Sequence, residues 1–84
     1  MTAKEAYKII INKNPTMYTR SCLDFGSFFA FCLAPIYIPE DEDYLAGTVL
    51  DAVEKRTGRV FEHDFMSDMS LFDRAKSIDV KTLV

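Results

Sequence analysis

The fold is decided by residues 48–65, which read TVLDAVEKRTGRVFEHDF. Residues that favour β-structure flank the segment Arg56-Thr57-Gly58 on both sides. A three-residue loop that ends in glycine is typical of a type I turn closed by a left-handed glycine bulge. The stretch therefore predicts a β-hairpin with one strand from Thr48 to Lys55 and the next from Arg59 to Phe65.

The register of this hairpin predicts one pair of polar side chains. If Lys55 opposes Arg59, Asp51 faces His63, which is the single histidine of the chain. The functional interpretation is an acid/base or pH-sensing pair, and the structural interpretation, which we favour, is an ordinary cross-strand ion pair. Both faces of this hairpin carry mixed polar and apolar residues, so the pattern leaves open which face is buried.

A second hairpin is predicted upstream, from Met17 to Phe25 and from Ser27 to Ile38, with Gly26 between the two strands. The second of these strands is apolar on both faces, which favours a central position in the sheet. The connection from this strand to the third begins with a run of acids, Glu40-Asp-Glu-Asp43, and extends to Gly47.

Two registers are compatible with the first hairpin. A two-residue type II′ turn at Gly26-Ser27 would pair Phe25 with Phe28 and put Cys22 and Cys32 on opposite faces. A loop with an odd number of residues would instead gather the large apolar side chains on one face: Leu23, Phe25, Phe29, Phe31 and Leu33. We expect the odd loop, because burial at about 25 cal/mol per Å² should outweigh a turn preference. The two cysteines then become neighbours on one face, where a disulfide is geometrically possible but not implied.

Helices are predicted at both ends of the chain. Thr2-Ala-Lys-Glu5 is a capping box, and an apolar stripe follows at Ala3, Ala6, Tyr7 and Ile10. Pro15 ends this helix. At the other end, Ser67 or Ser70 can cap a helix that presents Phe72, Ala75 and Ile78 on one face.

The predicted fold is therefore an α+β domain, a four-stranded antiparallel meander with an N-terminal and a C-terminal helix, in the order αββββα. The pattern leaves open whether residues 79–84 fray or add a short edge strand.

Composition bounds the domain organisation. The chain has 84 residues, of which 49% are hydrophobic, so we expect a single domain over residues 1–84 that needs no disulfide or metal. A domain of this size buries little surface, and we expect a monomer or a weak homodimer.

Charge and hydropathy exclude several functions. The net charge is −3 and the ten lysines and arginines are dispersed along the chain, which argues against nucleic-acid binding. The longest apolar run, Ser27 to Ile38, is too short to span a bilayer. The N-terminus alternates charged and apolar residues and lacks a signal-peptide pattern. We therefore predict a cytoplasmic protein with reduced cysteines.

Motifs that bind metals or cofactors are missing from the sequence. The chain has one histidine, two cysteines ten residues apart, and no CxxC or HExxH motif. The acidic run lacks the alternating ligands and central glycine of an EF-hand loop. We predict no metal, no cofactor and no enzymatic activity. The alternative is a small enzyme or ligand-binding domain that uses Asp51 and His63.

The acidic run is the predicted partner-binding element. Glu40, Asp41, Glu42 and Asp43 repel one another and should project into solvent between the second and third strands. Such a loop would speed the encounter with a basic protein. The alternative interpretation is that the acids only keep a small apolar domain soluble.

Two segments resemble a known group of proteins. They are Asp24-Phe25-Gly26 followed by Phe29, Phe31 and Pro35, and the segment AVEKRTGRV at residues 52–60. Together they resemble small bacterial proteins of the immunity protein 35 and YrhB-like group, over roughly residues 1–65. Glu54 stands where that group usually carries Asp. The resemblance implies a bacterial accessory protein that neutralises a toxin by binding it, and it brings no catalytic residues.

Overall fold

One antiparallel sheet of five strands organises the chain. The computed structural model describes residues 1–42, 49–64 and 69–84. The elements are α1 (Ala3–Lys13), β1 (Met17–Asp24), β2 (Phe28–Pro35), β3 (Val49–Glu54), β4 (Val60–Asp64), α2 (Met69–Arg74), β5 (Lys76–Ile78) and a short 3₁₀ helix (Val80–Thr82). The strand order is β4-β3-β2-β1-β5. The predicted α+β class with an antiparallel sheet is confirmed, whereas the predicted four strands and C-terminal helix match the structure only in part.

The N-terminal helix begins and ends as the sequence predicts. The Thr2 hydroxyl accepts from the Glu5 amide at 3.2 Å, and the Glu5 carboxylate accepts from the Thr2 amide at 3.0 Å. At the other end, the Asn14 side chain donates to the Ile10 carbonyl at 2.9 Å. Ala6 and Ile10 are fully buried, so the predicted apolar stripe is the face that packs on the sheet.

The main core lies between α1 and one face of the sheet, which we call the helix face. Its buried members are Ala6, Ile10, Cys22, Phe29, Phe31, Leu33, Val53 and Leu83. Ile78 and Val80 pack against this cluster from the C-terminal segment, so the end of the chain contributes to the same core.

The opposite face of the sheet is also apolar. Ala30, Leu50 and Ala52 are buried there, and a set of partly buried side chains packs around them: Leu23, Phe25, Phe28, Cys32 and Phe61. The Phe25 and Phe28 rings stack with centroids 4.9 Å apart. Apolar side chains are therefore buried on both faces of the central strands.

The expected odd loop in the first hairpin is wrong. The Phe25 amide donates to the Phe28 carbonyl at 3.0 Å, so only Gly26 and Ser27 form the turn. Gly26 has a φ of +92°, the sign that a II′ turn requires at this position. The odd loop was expected because it would segregate the apolar residues on one face. Segregation brings little gain when both faces of the sheet are covered, and the turn chemistry then decides the register.

The register predicted for the last hairpin is also wrong by one residue. Gly58 does adopt a positive φ of +74°. However, the Glu54 amide donates to the Arg59 carbonyl and the Glu54 carbonyl accepts from the Gly58 amide at 2.8 Å, which makes the loop four residues long. The Thr57 hydroxyl stabilises this wider loop, since it donates to the Glu54 carboxylate at 2.6 Å and accepts from the Arg59 amide.

The C-terminal region departs furthest from the prediction. α2 ends at Arg74, and Ile78, which we predicted on the same helix, lies in β5 opposite Cys22. β5 pairs with the outer edge of β1. Without a fifth strand, that edge would leave backbone N–H and C=O groups unpaired, which is the physical reason for β5. The sequence left open whether residues 79–84 fray or add an edge strand, and the structure places a 3₁₀ helix at Val80–Thr82 within them. Ser67 lies outside the described residues, and Ser70 lies within α2.

Candidate functional site

A β-bulge in β1 places the central residue of the candidate site. The pairing of β1 with β2 shifts between Thr19 and Ser21, so Arg20 is the extra residue. A bulge re-aims the side chain that it carries. Here the Arg20 Nε donates to the Tyr18 hydroxyl at 3.1 Å, and the guanidinium carbon lies 5.8 Å from the centre of the Tyr18 ring.

Arg20 and Tyr18 together hold the loop that follows β2. The Tyr18 hydroxyl donates to the Ile38 carbonyl at 2.8 Å. The Arg20 Nη2 donates to the Pro39 carbonyl at 2.8 Å, to the Glu40 carbonyl at 3.1 Å, and also to the Glu42 carbonyl. Hydrogen bonds from a charged donor are among the stronger ones in proteins. Residues 38–42 are therefore fixed to the sheet through their backbone, which leaves their side chains available for other contacts.

The side chains of this loop combine apolar and acidic groups at the surface. Tyr37 is 80% exposed and Ile36 is 63% exposed, so two neighbouring large apolar side chains lie at the surface. Glu40, Asp41 and Glu42 are exposed beside them. We call residues 36–42 the anchor loop. Asp43, the fourth acid of the predicted partner-binding run, lies outside the described residues.

Two grooves adjoin the anchor loop. One, of about 310 Å³, is lined by Tyr18, Ile36, Ile38, Pro39 and Glu40. The other, of about 390 Å³, is lined by residues of β1 and of the segment 77–81, and it carries charges of both signs: Arg20, Glu40, Asp79 and Lys81. Glu40 lies on both grooves, so the acidic run borders the concave surface at this end of the sheet.

Sequence reasoning identified the acids of the anchor loop but missed Tyr18, Arg20, Ile36 and Tyr37. Ile36 and Tyr37 were assigned to a strand, although Pro35 precedes them and β2 ends at that proline. That proline was the available signal, because proline cannot donate to a sheet ladder. Arg20 carried no local signal, since a bulge depends on pairing between strands that are distant in sequence.

The structure does not bring together the predicted pair of Asp51 and His63. Asp51 faces Glu62, and His63 faces Leu50. Because side chains alternate along a strand, Asp51 and His63 point to opposite faces of the sheet. The His63 ring lies instead near Phe28, with ring centres 5.6 Å apart. The predicted cross-strand pairing is therefore wrong, and the one-residue register shift is its cause.

Asp51 has an unfavourable environment for its charge. Partial burial raises the pKa of the Asp51 carboxyl above its usual value, and the facing carboxylate of Glu62 raises it further. Two carboxylates directly opposite each other repel one another. The ionised form of Asp51 is therefore less favourable in the folded protein than in the unfolded chain.

The two cysteines are separated by the sheet. Cys22 is fully buried on the helix face, and Cys32 is half-buried on the opposite face. A bond between them is excluded by this placement, so the predicted same-face arrangement is wrong. Burial raises the pKa of the Cys22 thiol to about 11, and the carboxylate of Asp24 adds to the effect. Cys22 is therefore a core residue with little thiolate character.

A second charged cluster lies at the other end of β1. The Lys55 ammonium contacts the Asp24 carboxylate at 2.8 Å and lies 4.5 Å from the centre of the Phe29 ring. Lys76 faces Asp24 across the pair of β1 and β5. Arg74 lines a small cleft together with Asp24, Lys55 and Lys76. This cluster gathers cations that the sequence disperses over more than twenty residues.

The described residues show neither a metal-binding cluster nor a membrane-crossing helix. Within residues 1–42, 49–64 and 69–84, no group of three histidines, cysteines or acids is placed to hold a metal ion. In the same part of the chain, no helix has the length and apolar character needed to cross a membrane.

Comparisons with known proteins complete the description of the site. No protein-family model matches the chain, and neither a curated protein nor a solved structure is significantly similar to it. The resemblance to the immunity protein 35 and YrhB-like group therefore stays a prediction.

Proposed function

We propose that this chain is a non-enzymatic interaction module that binds a basic protein through the anchor loop. The observation that carries the proposal is a tyrosine that is 80% exposed on a loop whose backbone is tied to the sheet. Three features of the loop support it: an apolar anchor, a fixed backbone and a run of exposed acids.

The apolar anchor consists of Tyr37 and Ile36. Tyrosine is enriched among the residues that contribute most to protein–protein binding, because it brings a large apolar ring, a polar tip and few rotatable bonds. Two neighbouring exposed apolar side chains would be buried by a partner, and their removal from water would favour association.

The fixed backbone lowers the cost of binding. A mobile loop loses conformational freedom when it is bound, and that loss reduces affinity. The contacts from Arg20 and Tyr18 hold residues 38–42 in place before the partner arrives. The loop therefore presents its side chains in a geometry that association need not impose.

The acids determine the kind of partner. Glu40, Asp41 and Glu42 are consecutive and exposed, and the chain as a whole carries a net charge of −3. A surface with lysines or arginines around an apolar patch complements this arrangement, and attraction between the two would speed their encounter. The specific version, which the resemblance implies, is a bacterial cytoplasmic protein that neutralises a basic toxin by binding it.

Replacement of Tyr37 tests the proposal. The partner is captured from a cell extract with the intact protein, purified, and then titrated against the wild type, Tyr37→Ala and Val84→Ala. Val84 is a matched control, because it is an apolar residue that is 79% exposed outside the loop. Loss of an anchor residue weakens binding by about 2 kcal/mol, or roughly thirtyfold in the dissociation constant. Equal affinities for Tyr37→Ala and Val84→Ala would contradict the proposal.

A further inference from the structure

A small cleft at the end of the sheet opposite the anchor loop collects cations from three separate segments. Its volume is about 200 Å³, and it is lined by Asp24, Phe25, Gly26, Lys55, Arg74 and Lys76. Lys55 comes from the β3–β4 loop, Arg74 from the end of α2 and Lys76 from the start of β5. The cleft lies at the Asp24 end of β1, whereas the anchor loop follows Pro35, which pairs with the first residue of β1.

One of the three cations is already paired. Lys55 contacts the Asp24 carboxylate at 2.8 Å and also lies over the Phe29 ring. Asp24 accepts a further hydrogen bond from the Gly26 amide at 2.8 Å. Burial opposes the charge on Asp24, but the bonds from Lys55 and Gly26 and the charges of Lys55 and Lys76 outweigh it and lower its pKa. This pair is fixed and nearly neutral.

The other two cations have no ion-pair partner among the described residues. Within the described part of the chain, Arg74 and Lys76 make neither an ion pair nor a hydrogen bond through their side chains, and both are exposed. Three cations and one carboxylate leave the cleft with a local net charge of +2, in a protein whose net charge is −3. The excess of positive charge is therefore local, and it borders a concave surface.

We propose that this cleft binds a phosphate monoester through Arg74 and Lys76, with the Asp24–Lys55 pair as its wall. An arginine guanidinium donates two parallel hydrogen bonds to phosphate oxygens, and a lysine ammonium supplies a compact point charge beside it. A phosphate monoester carries close to two negative charges at neutral pH, since its second pKa is about 6. Its charge matches that of the cleft, whereas a single carboxylate would neutralise half of it. This inference is independent of the proposed function, because it uses none of the anchor-loop residues.

A titration followed by NMR tests the site. Glycerol phosphate, inorganic phosphate and acetate are added separately to the isotopically labelled protein at pH 7.5 and constant ionic strength. We expect glycerol phosphate to shift the backbone amides of Gly26, Lys55 and Lys76 in a saturable manner. The double variant Arg74→Gln/Lys76→Gln should bind glycerol phosphate at least about tenfold more weakly than the wild type does, because both phosphate-contacting side chains are gone.

A charge-matched variant separates a site from general attraction. Lys13→Gln/Lys81→Gln removes the same charge from outside the cleft and should bind glycerol phosphate as the wild type does. The spectra of both double variants also report whether the fold is intact. The proposal is overturned if the wild type does not saturate, if the two double variants lose affinity equally, or if acetate binds as tightly as glycerol phosphate.

Discussion

Replacement of Gly58 by valine should destabilise the protein by about 1 kcal/mol or more. Gly58 has a φ of +74°, in the left-handed region that a β-branched residue rarely adopts. Such strain amounts to about 1–3 kcal/mol, and the lower entropy of the unfolded valine chain offsets about 0.4–1 kcal/mol of it.

Steric contact adds little to this effect. A Cβ at position 58 would lie 3.2 Å from the terminal methyl carbon of Met1 and 3.8 Å from a methyl of Ile9. The closer of these atoms is the far end of a flexible side chain that is itself exposed, so it can move away. Backbone strain therefore dominates, and Gly26 offers a matched control. It has a φ of +92°, and a Cβ there would have no heavy atom within 4 Å.

Thermal denaturation followed by circular dichroism measures the effect. For a domain of this size, 1 kcal/mol lowers the melting temperature by about 4–8 °C. We expect Gly58→Val and Gly26→Val to lower it by similar amounts, and Gly58→Asn to lower it less, because asparagine tolerates the left-handed region. A melting temperature of Gly58→Val equal to that of the wild type would refute the left-handed turn and with it the register of β3 and β4.

Three further predictions concern the core, the cysteines and pH. Ile10→Val should cost about 0.5–1.5 kcal/mol in urea denaturation because Ile10 is fully buried, whereas exposed Ile36→Val should change stability little; equal effects would contradict the assigned core. Cys32 should react with iodoacetamide at pH 8 well before Cys22, because burial raises the pKa of the Cys22 thiol to about 11. Mass spectrometry of the native protein measures the order, and the reverse order would show that the two sheet faces are misassigned. The pKa of Asp51 is raised in the folded protein, so the folded state binds its proton more tightly than the unfolded chain does. The free energy of unfolding therefore falls as pH rises from the usual pKa of aspartate through the raised pKa of Asp51. Asp51→Asn should therefore melt at a higher temperature than the wild type at pH 7 and at the same temperature near pH 3, and a lower melting temperature at pH 7 would contradict this environment.

Local sequence signals predicted most of the helices and strands. The strand registers and β5 depend on long-range pairing and were not predicted. The capping box at Thr2 and the positive φ of Gly58 depend on a few neighbouring residues, and both occur as predicted. The register of the first hairpin was wrong because the sequence alone does not show that both sheet faces are covered. The register of the last hairpin was wrong because its loop has four residues where the turn pattern predicts three. β5 was missed because three residues, Lys76–Ile78, carry too little pattern, and the edge of β1 decides their structure.

The candidate site was only partly predictable, because some of its residues are placed by pairing between distant segments. A run of four acids is visible in the sequence, and the three described ones are exposed. Arg20 could not be identified, since its role arises from a bulge and from carbonyl groups about twenty residues away. The pairing of Asp51 with His63 failed because a one-residue slip moves every side chain of a strand to the other face.

The most direct test of the anchor loop is the association rate of the purified partner at low and high salt. The wild type is compared with a variant in which Glu40, Asp41, Glu42 and Asp43 are replaced by asparagine or serine. Removal of the acids should leave the melting temperature unchanged, slow association by about tenfold at low salt, and flatten its dependence on salt. Equal rates and equal salt dependence for the two proteins would contradict the account and leave the acidic run as a feature of solubility.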